Sequence, residues 1–206
     1  MTEPLALDEY AIASTIVSKI WAAALPALRS AGSQQTPIYF PGALDRQLVE
    51  RARLPIGADR AGSQIVALVD AERFDRHGDD HSVGAAYSSR PRTKVYEGID
   101  ARSDGWYSVA ALQLARLARC RVVCTMYESR SGDLNLGAHV DEWLGVIVQM
   151  RGAKAWHMPA QFGQLAHGVT TQPGDILVVP AHYMHDVETE NRSVHLVFAF
   201  MTEMRF

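Results

Sequence analysis

Apolar residues recur at helical spacing in the first part of the chain and at strand-like spacing in the last part. From Leu7 to about Leu28 they fall on one face of a helix, with Pro26 near its end. A second long helix is predicted over WYSVAALQLARLARC, and a short one over about residues 44–51. The segments TPIYF and QIVALV predict short strands around that short helix. The front of the chain is therefore expected to be largely helical.

From Arg121 onward the pattern favours strands. The segments RVVCTMY, AHVDEWLGVIVQM, AKAWHM, DILVVP and SVHLVFAF are rich in valine, leucine and aromatic residues and are separated by glycine and proline. Residues 75–93 are instead polar and rich in glycine and serine, which predicts a surface loop, either plain or acting as a lid over a site. We expect a single domain over residues 1–206, in which 1–119 supply helices and supporting strands and 120–206 form the β core.

Composition and charge exclude few functions. The chain has 206 residues, 48% hydrophobic and 21% charged, and a formal net charge of -3. This balance gives no reason to expect a nucleic-acid partner. No unbroken apolar run approaches the ~18 residues of a membrane span, and the N-terminus lacks the pattern of a secretion signal. We therefore expect a cytoplasmic protein with no membrane partner, and the sequence allows a homodimer. Cys120 and Cys124 are too far apart on a predicted strand to form a disulfide.

Two histidines and an aspartate carry the clearest chemical signal. In HVDEWLG, His139 and Asp141 would share one face of a strand and could converge on one ion. In PGDILVVPAHYMHDV, a strand that ends at Pro180 precedes a turn that could direct His185 back toward them. Two imidazoles and one carboxylate suit a non-haem Fe(II) and leave coordination positions open. A chance His-x-Asp pattern is the alternative, because other histidines are available at positions 77, 81, 157, 167 and 182.

These segments resemble a known enzyme family. PGDILVVPAHYMH is similar to the second cupin motif, and HVD stands where the first motif has its ligands. The longer stretch MYESRSGDLNLGAHVDEWLGVIVQMRGAKAWHM resembles the JmjC-type cupin oxygenases, and especially their ribosomal oxygenase branch. The resemblance covers roughly residues 90–206. It implies a mainly β fold with flanking helices (α+β), in which a double-stranded β-helix of the cupin or jelly-roll type follows a helical N-terminal part. It also implies Fe(II), 2-oxoglutarate and O2, used to hydroxylate a substrate.

The sequence departs from the family pattern at three points, one of which is the 46-residue gap from His139 to His185, shorter than expected for the ribosomal branch. His182 stands where the cupin motif usually has glycine, which predicts a non-glycine residue at a positive-φ turn. The chain ends at Phe206, so we expect the C-terminal regions of the ribosomal oxygenases to be absent. A small molecule, an amino acid derivative or a peptide is then at least as suitable a substrate as a ribosomal protein.

Lys154 is the sharpest candidate for binding the cosubstrate. If one strand runs unbroken from His139 to Met150 and a tight turn follows at residues 151–152, then Gln149 and Lys154 face the metal side together. A buried lysine needs an anion, and the distal carboxylate of 2-oxoglutarate would supply one. The family resemblance independently implies a basic residue for that carboxylate at Lys154. A bulged turn, which would direct Lys154 outward, is the alternative.

Further pocket residues are weaker candidates. Tyr127 and Ser193 are expected to contact the cosubstrate, and His195 is a third candidate, each set against an ordinary packing or turn role. Trp143 and Trp156 are expected to be packing residues, with the alternative that one of them lines the substrate. Two other classes of function also remain: a metal-dependent cupin isomerase, dehydratase or oxygenase that does not use 2-oxoglutarate, and a metal-free cupin that binds sugars or regulates.

Overall fold

The computed structural model of the protein describes residues 7–30, 36–55, 66–71, 73–102, 104–163 and 165–201. Its helices are α1 (Leu7–Arg29), α2 (Arg46–Arg51), α3 (Asp80–Ser89) and α4 (Trp106–Ala118), with a 3-10 turn at Ile99–Ala101. Its strands are β1 (Ile38–Phe40), β2 (Val66–Asp70), β3 (Arg73–His77), β4 (Thr93–Tyr96), β5 (Arg121–Arg130), β6 (Leu144–Gly152), β7 (Lys154–Met158), β8 (His167–Thr171), β9 (Ile176–Val179), β10 (Asp186–Glu188) and β11 (Arg192–Met201).

Two antiparallel sheets form the body of the molecule. The larger has eight strands in the order β1-β9-β6-β11-β5-β4-β2-β3, and the smaller has three in the order β10-β7-β8. Strands β1 to β6 all belong to the large sheet, and from β6 onward the chain passes back and forth: β7 and β8 lie in the small sheet, β9 in the large, β10 in the small and β11 in the large. This arrangement is that of the double-stranded β-helix of cupins, and the expected fold class is confirmed. The N-terminal helix α1 precedes the sheet, as predicted.

The long helices cover the outer face of the large sheet. Ile16 and Ile20 of α1, together with Ala110 and Leu114 of α4, are buried in one core cluster with side chains of the large sheet. This is the helical period that the sequence predicts, with one apolar stripe facing a sheet. By length and composition, the segment Asp8–Arg29 also meets the criteria for a membrane span. The helices of soluble cores pass the same test, and this helix has its apolar stripe buried in the fold.

The predicted surface loop over residues 75–93 is wrong. Residues 73–77 form β3, which pairs with β2, and residues 80–89 form α3. Asp79 caps this helix because its side chain accepts hydrogen bonds from the backbone N–H and the hydroxyl of Ser82. Most side chains of β3 and α3 remain exposed, so the segment is polar without being irregular. Composition alone does not separate an exposed edge strand and helix from a loop.

The connection from β6 to β7 also differs from the prediction. The two strands do not form a hairpin: β6 pairs with β9 and β11 in the large sheet, whereas β7 pairs with β8 and β10 in the small one. The chain crosses between sheets at Gly152, whose φ is +59°. A Cβ atom at this position would lie 1.7 Å from the carbonyl oxygen of Arg192, so only glycine fits.

Candidate metal and cosubstrate site

The three predicted metal ligands come together at one end of the two sheets. His139 and His185 form an isolated antiparallel bridge, in which the backbone N–H of each residue donates to the carbonyl of the other at 2.9 and 3.0 Å. The predicted strand from His139 to Met150 is wrong, because β6 begins only at Leu144 and Asp141 lies in the segment before it. The side chains of His139 and Asp141 nevertheless lie close together.

The side chains of these residues form a compact donor set. One potential ligand atom from each of His139, Asp141 and His185 lies within 4.8 Å of the others. The Nε2 atom of His185 is 3.7 Å from a carboxylate oxygen of Asp141. The Nδ1 atom of His139 is 2.8 Å from the carbonyl of Gly137, and that of His185 is 2.9 Å from the carbonyl of Tyr183. With the proton on Nδ1, each Nε2 lone pair is free to bind a cation, which is how ligating histidines are usually oriented.

The turn before His185 positions the aspartate. The backbone N–H of His182 donates to the carbonyl of Asp141 at 2.7 Å. His182 has a φ of +61°, which confirms the positive-φ position expected from the substitution for glycine. This backbone contact ties the two ligand-bearing segments together a second time.

Burial shifts the pKa values of two of the candidate ligands toward their uncharged forms. Burial raises the pKa of Asp141 to about 6, against a smaller opposing effect of His139. Burial likewise lowers the pKa of His185 to about 4, in spite of its hydrogen bond to Tyr183. Neutral imidazoles are what a metal requires, and a bound divalent cation would favour the ionised carboxylate. The donor set therefore fits Fe(II) or a similar divalent metal in both ligand chemistry and protonation.

A cavity runs inward from the donor set between the two sheets. Its wall is mostly apolar, with Val69, Leu136, Trp143, Ile147, Trp156, Val179, Val187 and Val197. The polar lining residues are the three candidate ligands together with Thr93, Tyr127, Asn135, Lys154 and His195. A buried, largely apolar cavity with a few converging polar groups is the usual form of a ligand site.

Lys154 lies inside this cavity, as predicted, although the predicted hairpin does not exist. Its side chain is only 2% exposed. The ammonium nitrogen donates to the hydroxyls of Ser129 at 2.9 Å and Thr189 at 2.7 Å. Burial lowers the pKa of Lys154 to about 8, although Asp133 and Asp186 act in the opposite direction. Among the described residues no carboxylate is bonded to this ammonium group, which is held by two hydroxyls and can receive an anionic ligand.

Tyr127 also lines the cavity. Its ring stacks on the imidazole of His195 with centroids 5.0 Å apart and an angle of 2° between the planes. The two residues are register partners on β5 and β11, so the stacking follows from strand pairing. Burial is the main cause of the raised pKa of Tyr127, and the nearby Asp141 adds to it.

Ser193 does not line the cavity. It is fully buried, and its hydroxyl accepts a hydrogen bond from the side-chain amide of Gln149 at 2.9 Å. The carbonyl oxygen of Gln149 accepts one from Thr171, whose hydroxyl oxygen in turn accepts one from the indole N–H of Trp156. The structure thus places Ser193 in a polar network behind Lys154, where its expected contact with the cosubstrate would need rearrangement.

Sequence reasoning missed several polar residues of the site. Ser129 and Thr189 hold Lys154, and Thr93 lines the cavity on β4. The signal for Ser129 was available, since it follows Tyr127 by one strand period and so shares its face. Thr189 follows a short strand that was not predicted, and no local pattern marks it.

Two facing antiparallel sheets with a His-Asp-His set at one end define a metal-binding cupin. Over residues 95–205 the sequence matches the family described as JmjC domain, and the chain belongs to that family. The resemblance found in the sequence is thereby confirmed. No curated protein matches the sequence.

Several solved structures of a ribosomal oxygenase from Escherichia coli, YcfD, share the fold. One has a TM-score of 0.62 and 16% identity, covering 88% of this chain and 52% of that one. A second has a TM-score of 0.61 and 18% identity, covering 87% and 52%. A third, in complex with cobalt and 2-oxoglutarate, has a TM-score of 0.59 and 16% identity, covering 88% and 52%. This chain therefore spans about half the length of these structures, and at such identity the likeness shows the fold alone.

Proposed function

We propose that the protein is an Fe(II)- and 2-oxoglutarate-dependent dioxygenase that hydroxylates a small molecule, an amino acid derivative or a peptide or protein side chain. The reaction consumes the substrate R–H, O2 and 2-oxoglutarate, and yields R–OH, succinate and CO2. One oxygen atom enters the hydroxyl group and the other enters succinate, and the electrons come from decarboxylation of the cosubstrate. When bound, the metal would supply the oxygen chemistry, and the protein would supply binding and positioning.

The observation that carries this proposal is the position of Lys154 in the same cavity as the donor set. His139, Asp141 and His185 would hold the metal, and Lys154 would bind the distal carboxylate at the inner end of the cavity. Because its ammonium group is already fixed by Ser129 and Thr189, little side-chain entropy would be lost on binding. The complex of YcfD with cobalt and 2-oxoglutarate adds support at the level of the fold.

The apolar wall would serve the chemistry by excluding water. Trp156 contacts the ring of His185 at a centroid distance of 5.8 Å and is held in place by its bond to Thr171. Trp143, which immediately precedes β6 in the chain, also lines the cavity and packs against the apolar cluster that contains Ile147 and Trp156. Such a wall strengthens electrostatic contacts to the ligand and limits side reactions with solvent.

A cupin that does not use 2-oxoglutarate would share the three ligands but would have no need for a buried ammonium group in the same cavity. Measurements of binding and turnover distinguish these two classes of enzyme. The purified protein should bind one Fe(II) under nitrogen, show a metal-to-cosubstrate absorption band when 2-oxoglutarate is added, and release succinate slowly in air. Fe(II) binding with neither the band nor succinate would favour the alternative class.

A further inference from the structure

The wall of the cavity restricts what can be presented to the metal. Eight of the lining residues are apolar: Val69, Leu136, Trp143, Ile147, Trp156, Val179, Val187 and Val197. Among the described residues that line the cavity, Asp141 is the only carboxylate, and the metal would take it. Lys154 is the only lysine or arginine among these lining residues, and the cosubstrate would neutralise its ammonium group.

The polar residues Thr93, Asn135 and His195 also line the cavity; they can form hydrogen bonds but carry no charge. The amide of Asn135 is used by the backbone, since it donates to the carbonyl of Val187 at 2.5 Å and accepts from the N–H of Gly137 at 2.7 Å. Thr93 Oγ1 and His195 Nδ1 have no hydrogen-bond partner among the described residues. Burial, aided by Lys154, lowers the pKa of His195 well below its usual range, so the imidazole is neutral.

The charges of Glu97, Asp133 and Asp186 act on Tyr127 or Lys154, but these three carboxylates do not line the cavity. Glu97 forms a two-point ion pair with Arg76, with both distances 3.0 Å. Asp133 accepts from the hydroxyl of Tyr87 at 2.7 Å and from the N–H of Arg130 at 2.8 Å. Asp186 accepts from the N–H of Val187, and its negative charge acts on Lys154.

Apolar surface continues outward from the donor set. Val140, between the first two ligands, is 44% exposed, and Leu134, which precedes them, is 40% exposed. Leu136 packs against the small apolar cluster of Ala67, Val69 and Val95, so the apolar lining joins this rim to the interior. A charged side chain entering here would lose its hydration without gaining a counter-ion, which is strongly unfavourable.

We propose that the group this protein hydroxylates is uncharged and apolar, such as an aliphatic or aromatic side chain or ring, and that cationic and anionic groups are rejected. This inference rests on the proposed function, because it assumes that metal and cosubstrate occupy the donor set and Lys154. It concerns the reacting group alone and leaves the rest of the substrate outside the cavity.

Paramagnetic broadening tests the inference without turnover. The Co(II)-loaded protein with 2-oxoglutarate, under nitrogen, would be mixed in turn with the N-acetyl amides of leucine, phenylalanine, arginine and glutamate. Proton line widths of each side chain would be compared with those in the Zn(II)-loaded protein. We expect broadening by cobalt at least about tenfold stronger for the leucine and phenylalanine amides, a ratio that corresponds to a tenfold difference in affinity. Equal broadening of the four probes would overturn the inference, and so would the absence of broadening in all four.

A charge placed in the wall provides a matched test. Leu136→Asp should admit the arginine amide and broaden its side-chain protons, whereas Leu136→Asn, of nearly the same size but uncharged, should not. Arginine broadening that is the same in both variants would contradict the inference. The absorption band formed with Fe(II) and 2-oxoglutarate keeps the two proposals apart: its absence refutes the proposed function, and its presence without probe selectivity refutes only the choice of reacting group.

Discussion

His139 and His185 are joined backbone to backbone by a pair of hydrogen bonds of 2.9 and 3.0 Å, although they are far apart in the chain. The imidazole rings then lie with centroids 4.4 Å apart. Because the main chain holds His139 and His185 side by side, the fold itself brings these two ligands together. Metal affinity should therefore respond to the ligand side chains while the fold remains intact.

Removal of the carboxylate tests the donor set. Asp141→Ala should reduce bound Fe(II) from one per chain to a small fraction, because two neutral imidazoles leave the cation without a compensating charge. Metal content after desalting, with thermal melting to show that the fold persists, would measure this. Glu142→Ala, which removes the exposed neighbouring carboxylate, is the control and should retain the metal. Full metal content in Asp141→Ala would remove the assignment.

The ammonium group of Lys154 should be needed for cosubstrate but not for metal. Lys154→Ala is expected to retain Fe(II) and to weaken 2-oxoglutarate binding by the ~1.5–3 kcal/mol of a charge-assisted hydrogen bond, about ten- to a hundredfold. Anaerobic titration of the metal-to-cosubstrate absorption band would give the affinity. Lys19→Ala, on the exposed face of α1, is the matched control. Unchanged affinity in Lys154→Ala would contradict both its role and much of the case for 2-oxoglutarate.

The titration of Lys154 predicts a pH dependence of binding. Its pKa in the ligand-free protein is about 8, so the ammonium form is lost as the pH rises through that value. Cosubstrate affinity should then fall, by up to about tenfold for each further pH unit, because binding must include proton uptake. Titrations between pH 7 and 10 would show this, and Lys154→Arg should be nearly flat over the range. A flat profile in the unmodified protein would place the cosubstrate elsewhere.

The same shift affects folding stability in the opposite sense. The ordinary pKa of lysine is 10.5, so between about 8 and 10.5 the folded chain without ligand holds fewer protons than the unfolded chain. The contribution of Lys154 to stability should therefore rise with pH in this window. Lys154→Met should stabilise the ligand-free protein near neutral pH by about 1–3 kcal/mol, measured by denaturant unfolding, because it removes a buried charge. A less stable variant would show that the ammonium group is well compensated in the folded protein.

Lys154 lies inside the cavity, as the sequence predicts, although β6 and β7 do not form the predicted hairpin. An inward lysine follows from strand alternation in β7, whichever sheet that strand joins. Which strands pair is decided by contacts between distant segments, and the crossing at Gly152 left no local signal beyond the glycine itself.

The metal ligands were found for a similar reason. Their spacing of two residues keeps His139 and Asp141 close together although no regular strand forms there, and the turn at His182 brings His185 to them. The hydroxyls that bind Lys154 were not predicted. Thr189 directly follows β10, a short strand that the sequence pattern does not indicate. The sequence therefore predicts contacts between residues that are close in the chain. Cavity residues from distant segments can be identified only from the folded structure.

The polar network behind the cavity should matter for stability. Thr171→Val would leave the indole N–H of Trp156 and the carbonyl oxygen of Gln149 buried without their present partner. We expect a loss of about 1–3 kcal/mol in the free energy of unfolding, the cost of an unsatisfied buried polar group. Thr170→Val, on the exposed face of the same strand, is the control and should be nearly neutral. Equal stability of the two variants would mean that the network contributes little.

Gly152, where the chain crosses between the sheets, has no room for a side chain. A methyl group there would meet the carbonyl oxygen of Arg192 at 1.7 Å, and the φ of +59° adds strain for any other residue. Because backbone cannot yield as a side chain can, Gly152→Ala should cost more than the ~1–3 kcal/mol of an unfavourable φ alone. It should also displace Lys154, two residues later, and so weaken 2-oxoglutarate binding.

Gly132→Ala is the control that separates the strain of a positive φ from the clash with backbone, since Gly132 has a φ of +81° but nothing within 4 Å of the added methyl group. Denaturant unfolding should therefore place Gly152→Ala well below Gly132→Ala in stability. Similar losses in both variants would show that β11 shifts readily, in which case the close approach of Arg192 does not hold β7 in position.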